Sequence, residues 1–166
     1  DGEIHLRGPN LMRGICGRTR AQTFTVEGFY PTGDLGTLDD DGYLWFHGRV
    51  DDMFKVKGAT VYPAEVENTL LGHEAVGQVA VVGMPDARLG EIAVAYVVPA
   101  PGRALEPAAI IAWARERLAN YKVPRHVFIV PEVPRTPGPH GDKVQRAQLR
   151  ADALRLIAAS AHGRTA

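Results

Sequence analysis

GRVDDMFKVKG, residues 48–58, separates two parts of this sequence that differ in character. Before it, short apolar runs such as Tyr43 to His47 are divided by turn signals such as Asp41-Gly42, which indicates strands and hairpins. After it, β-prone runs alternate with amphipathic segments that have helical spacing. We therefore expect a domain boundary near residues 49–52, inside this run of charged residues.

The part that follows the boundary predicts strands interleaved with helices. Proline at a first helical position indicates where two of the helices begin, and a third is expected near the end of the chain. Met84-Pro85-Asp86 and Gly90 are expected to form the turn between the two longest strands, and the proline- and glycine-rich stretch 131–142 is expected to be a loop. The helices are expected at 63–72, 107–124 and 145–158, and the strands at 53–56, 79–82, 92–98 and 127–130. This pattern predicts an α+β fold.

Composition and charge exclude several classes of protein. The 166 residues are 45% hydrophobic and 23% charged, which is typical of a folded domain, and 19 basic residues balance 19 acidic ones. A formal charge of zero gives no bulk attraction to nucleic acid or to an anionic membrane. The single cysteine, Cys16, excludes an intramolecular disulfide framework and favours the cytoplasm, and no apolar run approaches the length of a membrane span. The first residues contain neither an initiator methionine nor a signal peptide, so we expect the chain to begin inside a longer protein.

Three segments concentrate polar residues and glycines outside the predicted core. YPTGDLG at 30–36 has two interpretations. It is either a turn capped by Asp34 or a segment in which the Asp34 carboxylate accepts hydrogen bonds from both hydroxyls of a ribose. GRVDDMFKVKG is either a solvated edge hairpin or a linker whose charges form different ion pairs in different domain orientations. PRTPGPHGDKVQR at 134–146 is either a mobile loop or an arm that carries Lys143 into a site elsewhere.

In this order, the three segments resemble the closing part of the adenylate-forming superfamily, which contains acyl- and aryl-CoA synthetases, peptide-synthetase adenylation domains and firefly-type luciferases. The resemblance includes YPAEVE at 62–67 and VAVVG at 79–83 and extends from Gly2 through Arg150. The sequence of residues 62–67 is more similar to that of acyl-CoA synthetases than to that of peptide-synthetase domains. The resemblance implies that 1–50 is the tail of a large N-terminal domain, the end of its β-barrel subdomain. It implies that 51–160 is a small mobile domain with a central mixed sheet flanked by helices, followed by a frayed tail at 161–166.

The resemblance also implies a reaction. Enzymes of this family join a carboxylic acid to ATP, which is bound with Mg²⁺, and form an acyl-adenylate; the thiol of coenzyme A then displaces AMP. Lys143 matches the lysine that bridges the carboxylate and the α-phosphate, where a cation offsets the repulsion between two anions.

Other residues match further positions of the family pattern. Asp34 matches the aspartate that binds the ribose, and Arg49 matches the arginine near the ribose and phosphate. Asp51 matches the hinge about which the C-terminal domain turns between the two half-reactions. The loop at Lys57-Gly58 is expected to line the CoA tunnel in the second orientation, where glycine permits close approach of backbone to ligand.

The remaining candidates are expected to be structural. Glu65 and Glu67 are expected to support the loop. Arg146 and Arg150 are expected to form a solvated helix face, and the alternative is contact with the phosphates of coenzyme A. No two of the six histidines have the spacing of a helical zinc site, so no metal site is predicted in this chain. Asp142 stands where the family usually has glycine, beside Lys143, where it could pair with the ammonium and compete with the phosphate.

The family's phosphate loop, adenine-binding segment and acyl pocket have no counterpart in this sequence. The leading hypothesis is therefore the lid of a carboxylic acid–CoA ligase that is inactive without its N-terminal adenylation domain. Its partners would be that domain, a carboxylic acid, ATP and coenzyme A. One alternative is an adenylation domain that loads a carrier protein, and another is a stand-alone, non-catalytic binding module.

Overall fold

The computed structural model describes residues 2–138 and 142–162, without the side chains of 159–162. The chain divides into two compact units, with the boundary between Asp51 and Asp52. A 3-10 turn, Val50–Asp52, spans this boundary. None of the helices in the described ranges combines the length and the apolar character that a membrane span requires.

The first unit is a small antiparallel sheet in the order β1-β2-β3. Its elements are β1 (Gly2–Leu6), α1 (Arg20–Thr23), β2 (Tyr30–Leu38) and β3 (Leu44–Arg49). The hairpin predicted at Asp41-Gly42 is confirmed, and Gly42 has the positive φ of 85° that such turns require. Asp39 stabilises the turn by accepting the Tyr43 N–H at 2.8 Å and the indole N–H of Trp45 at 2.7 Å.

The second unit is a five-stranded sheet covered by helices. The sheet has the order β5-β4-β7-β6, and β8 runs parallel to β7, so the predicted mixed sheet and the α+β class are confirmed. A separate two-stranded ladder joins β9 and β10. The elements are β4 (Phe54–Val56), β5 (Ala59–Val61), α2 (Pro63–Leu71), β6 (Val76–Asp86), β7 (Gly90–Pro99), α3 (Pro107–Arg117), β8 (His126–Ile129), β9 (Arg135–Thr136), β10 (Lys143–Val144) and α4 (Arg146–His162).

The core of the second unit lies around β6 and β7. These strands are apolar on both faces, which is typical of strands covered on both sides. Each helix contributes buried side chains, such as Leu70 from α2, Ile110 from α3 and Leu149 from α4. Gly83 lies under Phe54, because a Cβ at this position would be 2.4 Å from Phe54 Cγ. Because glycine has no side chain, Phe54 of β4 packs directly against β6 at Gly83.

Two element ends differ from the sequence prediction. β6 continues through Pro85 to Asp86, where a turn was expected, and Pro85 pairs with Glu91. Since β6 is an edge strand, one of its sides requires no N–H partner and tolerates proline. Helix α3 ends at Arg117, and Leu118 is an extended C-cap whose N–H still donates to Ala114 O.

The segment predicted as a loop, 131–142, contains strand β9, so that prediction was wrong in part. The pairing of β9 with β10 places Lys143 opposite Thr136. The final helix runs to His162, beyond the predicted end at 158 and into the tail predicted at 161–166; residues 163–166 lie outside the described part of the chain.

Candidate functional site

Asp34 and Arg49 form an ion pair in the first unit. They are direct cross-strand partners on β2 and β3, and Arg49 Nη1 lies 2.7 Å from Asp34 Oδ1. Arg49 Nη1 also donates to Thr32 O at 3.1 Å. Both side chains remain partly exposed, 48% for Arg49 and 32% for Asp34. Asp34 Oδ2 takes part in no hydrogen bond among those that the structure describes, so this oxygen remains available to a hydroxyl donor.

Local backbone geometry holds this pair in place. Gly33 has a φ of 74°, and a Cβ there would lie 2.8 Å from Arg49 Nη2, so glycine allows the guanidinium to cross the strand. The Gly33 N–H donates to Glu3 Oε1 at 2.9 Å. Thr32 Oγ1 accepts the Asp34 N–H at 3.0 Å and donates to Ile4 O at 2.8 Å. The sequence did not single out Glu3 or Thr32, because their contacts depend on pairing with β1.

The predicted hinge residue, Asp51, is exposed in the 3-10 turn Val50–Asp52. The next residue, Asp52, is half-buried and belongs to the second unit, where its carboxylate is 3.0 Å from Arg146 Nε. The boundary is therefore flanked by one exposed carboxylate and one that is paired.

Lys57 and Gly58 form the two-residue turn between β4 and β5. Both have positive φ, 51° and 83°, as in the type I′ turns that match strand twist. The Lys57 N–H donates to Leu89 O at 2.8 Å. Both residues are exposed, and a Cβ at Gly58 would meet no atom within 4 Å. The backbone at this turn is therefore open to close approach by a ligand.

A second turn holds the Lys57-Gly58 turn in position. Asp86 accepts the N–H groups of Arg88 and Leu89 at 2.9 and 2.8 Å, and these bonds hold the pKa of Asp86 below its ordinary value. Lys57 and Leu89 of these turns, together with residues 120–125, line a cavity of about 200 Å³. Its polar lining includes Lys57, Asn120, Tyr121 and Arg125.

Lys143 is exposed on the β9–β10 hairpin. The base of the hairpin is closed by Gln145, whose N–H donates to Pro134 O at 2.9 Å and whose side-chain amide donates to Arg135 O at 3.2 Å. Asp142 is exposed too, and within the described residues no ion pair joins it to Lys143. Residues 139–141 of the predicted lysine loop lie outside the described part of the chain.

Arg146 is not on a solvated helix face, and that prediction was wrong. Its side chain is 18% exposed and binds the Glu67 carboxylate through Nη1 at 2.8 Å and Nη2 at 3.4 Å. Nη1 donates also to Val81 O at 2.7 Å. Burial lowers the pKa of Arg146, but the hydrogen bonds and charges of Glu67 and Asp52 outweigh burial and raise it overall. The guanidinium therefore stays charged inside the unit.

The two glutamates of helix α2, expected to support the loop, form ion pairs within the second unit. Glu67 binds Arg146 and also accepts the Val81 N–H at 2.8 Å. Glu65 binds Lys122 Nζ through both oxygens, at 2.5 and 2.7 Å. In the ranges that the structure describes, no group of three or more His, Cys, Asp or Glu side chains could hold a metal ion.

Comparison with known proteins identifies the family of this chain. Residues 65–138 match the profile of the AMP-binding enzyme C-terminal domain. The chain is 46% identical over 151 residues to a Rhodococcus jostii 3-[(3aS,4S,7aS)-7a-methyl-1,5-dioxo-octahydro-1H-inden-4-yl]propanoyl:CoA ligase, covering 90% of this chain and 29% of that protein. The chain belongs to the adenylate-forming superfamily. Within that superfamily it is a C-terminal part, most similar to acyl-CoA synthetases.

Two further relatives extend the comparison within the superfamily. ATP-bound MatB from Rhodopseudomonas palustris superposes with a TM-score of 0.81 at 33% identity, over 91% of this chain and 30% of that one. A fatty acid–[acyl-carrier-protein] ligase, ScoC from Streptomyces coeruleorubidus, is 40% identical over 90% of this chain and 28% of its own length. The chain thus spans a little under a third of each relative.

The structure brings together some of the predicted site residues. Asp34 and Arg49 are in direct contact in the first unit. In the second unit, Lys57-Gly58 and Lys143 lie on two different hairpins, β4–β5 and β9–β10. The sequence did not indicate that Arg146 is half-buried and paired, because its partners Asp52 and Glu67 are distant in the sequence and no local pattern indicates them.

Proposed function

We propose that this chain is the C-terminal lid of an ATP-dependent carboxylic acid–CoA ligase and that Lys143 is its adenylation lysine. The observation that carries this proposal is the exposure of Lys143 at a hairpin, in a chain that belongs to the adenylate-forming superfamily. An exposed ammonium on a short hairpin is able to reach an active site in another domain, which a buried lysine could not do.

Lys143 acts in the first half-reaction. A carboxylate oxygen of the acid attacks the α-phosphorus of ATP, and the bond from that phosphorus to the pyrophosphate oxygen breaks. Negative charge accumulates on the α-phosphate oxygens as the two anions come together. An ammonium that contacts both groups stabilises this charge more in the transition state than in the ground state.

Asp34 and Arg49 bind the nucleotide. Asp34 Oδ2 accepts a ribose hydroxyl, while Oδ1 shares its charge with Arg49. Arg49 lies close enough to Asp34 to neutralise it, which limits the repulsion between that carboxylate and the phosphates. Mg²⁺ would accompany ATP in the intact enzyme and neutralise its phosphates, but the described residues offer no cluster to hold it, so its ligands are expected in the N-terminal domain.

The second half-reaction requires a different surface of the lid. The chain turns at Asp51, Lys143 leaves, and the Lys57-Gly58 turn enters the site. The CoA thiolate then attacks the acyl carbon, and AMP departs with the electrons of the broken acyl–phosphate bond. The open backbone at Gly58 supports this role, since a narrow thiol ligand needs backbone without side chains beside it.

The first unit is part of a larger domain in this proposal. Leu44, Trp45 and Phe46 are consecutive residues of β3 and are 52%, 61% and 59% exposed. Consecutive strand residues point to opposite faces, so the sheet exposes apolar side chains on both faces. Exposed apolar side chains on both faces of a small sheet are typical of a surface that further structure covers. We place the intact enzyme in the cytoplasm, where its cosubstrates occur.

The test uses the intact enzyme beside the 166-residue chain alone. We expect acid-dependent ATP–pyrophosphate exchange and CoA thioester formation from the intact enzyme, and neither from the chain. Exchange catalysed by the chain alone would refute its role as a lid without an active site of its own. If the intact enzyme adenylates its acid but transfers the acyl group only to a carrier protein, the acceptor is that carrier protein and not CoA. The similarity to ScoC supports this alternative.

A further inference from the structure

Arg146 occupies a junction between three parts of the second unit. It is the first residue of α4, and it follows Lys143 by three positions. Its guanidinium contacts Glu67 of α2, Val81 of β6 and Asp52 at the start of the unit. One side chain therefore connects the end of the lysine hairpin to the first residue after the boundary.

The cluster is built to hold one orientation of the guanidinium. Glu67 Oε1 accepts both the Val81 N–H and Arg146 Nη1, so the carboxylate is itself fixed to the central part of β6. Nη2 contacts Glu67 Oε2 at 3.4 Å, and Nε lies 3.0 Å from Asp52 Oδ2. A planar guanidinium donates hydrogen bonds from two of its edges at once. The compact ammonium of a lysine does not offer this fixed arrangement of donors.

The lysine hairpin is short, and its apolar attachment is Val144 of β10, which packs against the core. Its two strands contribute only two residues each, and its base is closed by Gln145. Such a short ladder is not stable by itself. The residue next to Gln145 is Arg146, so its ion pairs add a polar attachment at the base of the hairpin.

The other functional hairpin has its own attachments to the core. β4 begins at Phe54, which is 3% exposed and packs against Gly83. The Lys57-Gly58 turn is held by Leu89 O. Loss of the Arg146 contacts should therefore affect Lys143 and leave the CoA-side turn in place.

We propose that Arg146 is a positioning residue that couples Lys143 to the hinge segment through Asp52. By this inference, which rests on the proposed function, the hairpin and the first residue of the lid turn as one body. Rotation at the hinge then delivers Lys143 to a fixed position. Without the coupling, the hairpin arrives in a range of positions, of which few place the ammonium on the reacting atoms.

The test compares Arg146→Gln, Arg146→Lys and Asp52→Asn in the intact enzyme. Arg150→Gln is the matched control, because Arg150 lies one turn along α4 and none of the described ion pairs includes it. Pyrophosphate release reports the first half-reaction. Thioester formation from supplied acyl-adenylate and CoA reports the second. Hydrogen exchange in peptides that contain β9 and β10 reports the hairpin without reference to activity.

We expect Arg146→Gln to slow pyrophosphate release about 10–100-fold, the effect of a misplacement of about 1 Å, with little change in thioester formation. Arg146→Lys should restore part of the rate, and Asp52→Asn should give a smaller loss in the same half-reaction. Exchange at the hairpin should accelerate in Arg146→Gln and stay unchanged in Arg150→Gln.

Equal losses in both half-reactions would show that Arg146 only stabilises the fold and would overturn the proposal. If Arg146→Gln does not fold, Asp52→Asn provides the test, because this variant leaves the contacts between Arg146 and Glu67 intact. Unchanged pyrophosphate release and unchanged hydrogen exchange at the hairpin in Asp52→Asn would overturn the proposal. If the unaltered enzyme catalyses neither half-reaction, the proposed function fails, while the exchange comparison still decides whether Arg146 holds the hairpin.

Discussion

Arg49 lies across the β2–β3 hairpin from Asp34, and its Nη1 atom is 2.7 Å from Asp34 Oδ1. Only one carboxylate oxygen is engaged by this contact. A carboxylate that is charge-balanced on one side and open on the other suits a ligand that brings hydroxyl donors and phosphate oxygens together. This relationship is the basis of the nucleotide-binding role proposed for the first unit.

Replacement of Asp34 by Asn should weaken ATP binding by the intact enzyme. A hydrogen bond to a charged group contributes about 1.5–3 kcal/mol, which corresponds to about 10–100-fold in Kd. Calorimetric titration with ATP measures the change. Asp40→Asn is the control, since Asp40 is exposed at the tip of the same hairpin. Equal affinity in Asp34→Asn and the unaltered enzyme would remove Asp34 from the site.

Replacement of Gly33 by Ala should also weaken ATP binding, by displacing Arg49. The new Cβ would lie 2.8 Å from Arg49 Nη2. Gly42→Ala is a matched control, because Gly42 has a similar φ of 85° but no atom within 4 Å of its Cβ position. Both variants should lose about 1 kcal/mol of stability from backbone strain. If both variants lose ATP affinity, or if neither does, the close approach of Arg49 to Gly33 is not what positions Arg49 for ATP.

Alkaline pH should destabilise the second unit through Tyr96. Burial raises the pKa of Tyr96 to about 12, the charge of Asp152 acts in the same direction, and the hydroxyl donates to Leu149 O at 2.8 Å. An unfolded tyrosine ionises near pH 10, so between about pH 10 and pH 12 the folded state binds more protons. The free energy of unfolding should therefore be fully retained below about pH 10 and fall above it.

Tyr96→Phe separates this effect from other alkaline losses. The variant should lose about 1 kcal/mol at neutral pH, because the bond to Leu149 O is absent, and should show a shallower decline above about pH 10. Urea unfolding of the 166-residue chain at several pH values measures both. Parallel declines in the two proteins would exclude Tyr96 as the cause.

Substitution of Gly83 by Ala should destabilise the second unit by about 1–3 kcal/mol through overpacking. The added methyl would lie 2.4 Å from Phe54 Cγ, and Phe54 is buried and cannot move aside. Gly77→Ala, on the same strand, should cost less, because its nearest atom is 3.0 Å away. Thermal unfolding midpoints give the comparison, and a smaller effect at Gly83 than at Gly77 would contradict this account of the packing.

Elements with a strong local signal were predictable from the sequence. Pro63 and Pro107 begin α2 and α3, as proline at a first helical position predicts, and the valine-rich runs form the two long strands β6 and β7. The Asp41-Gly42 turn forms the expected hairpin. In each case the residues that determine the structure are neighbours in the chain.

Features that depend on distant partners were not predictable. The ion pairs of the half-buried Arg146 require Asp52 and Glu67, which precede it by 94 and 79 residues. Strand β9 lies within a proline-rich stretch and forms because Gln145 bonds back to Pro134 and Arg135. The roles of Asp51, Lys57 and Lys143 stay predictions, since a hinge and a mobile lysine are defined by motion between two orientations.

The most direct test of the central claim is single-turnover pyrophosphate release by the intact enzyme carrying Lys143→Ala. We expect a loss of about 10²–10³-fold with the KM for ATP little changed, because the ammonium acts mainly in the transition state. Lys55→Ala, at another exposed lysine of the lid, serves as the control. Pyrophosphate release from Lys143→Ala at the rate of the unaltered enzyme would contradict the claim that this hairpin delivers the adenylation lysine.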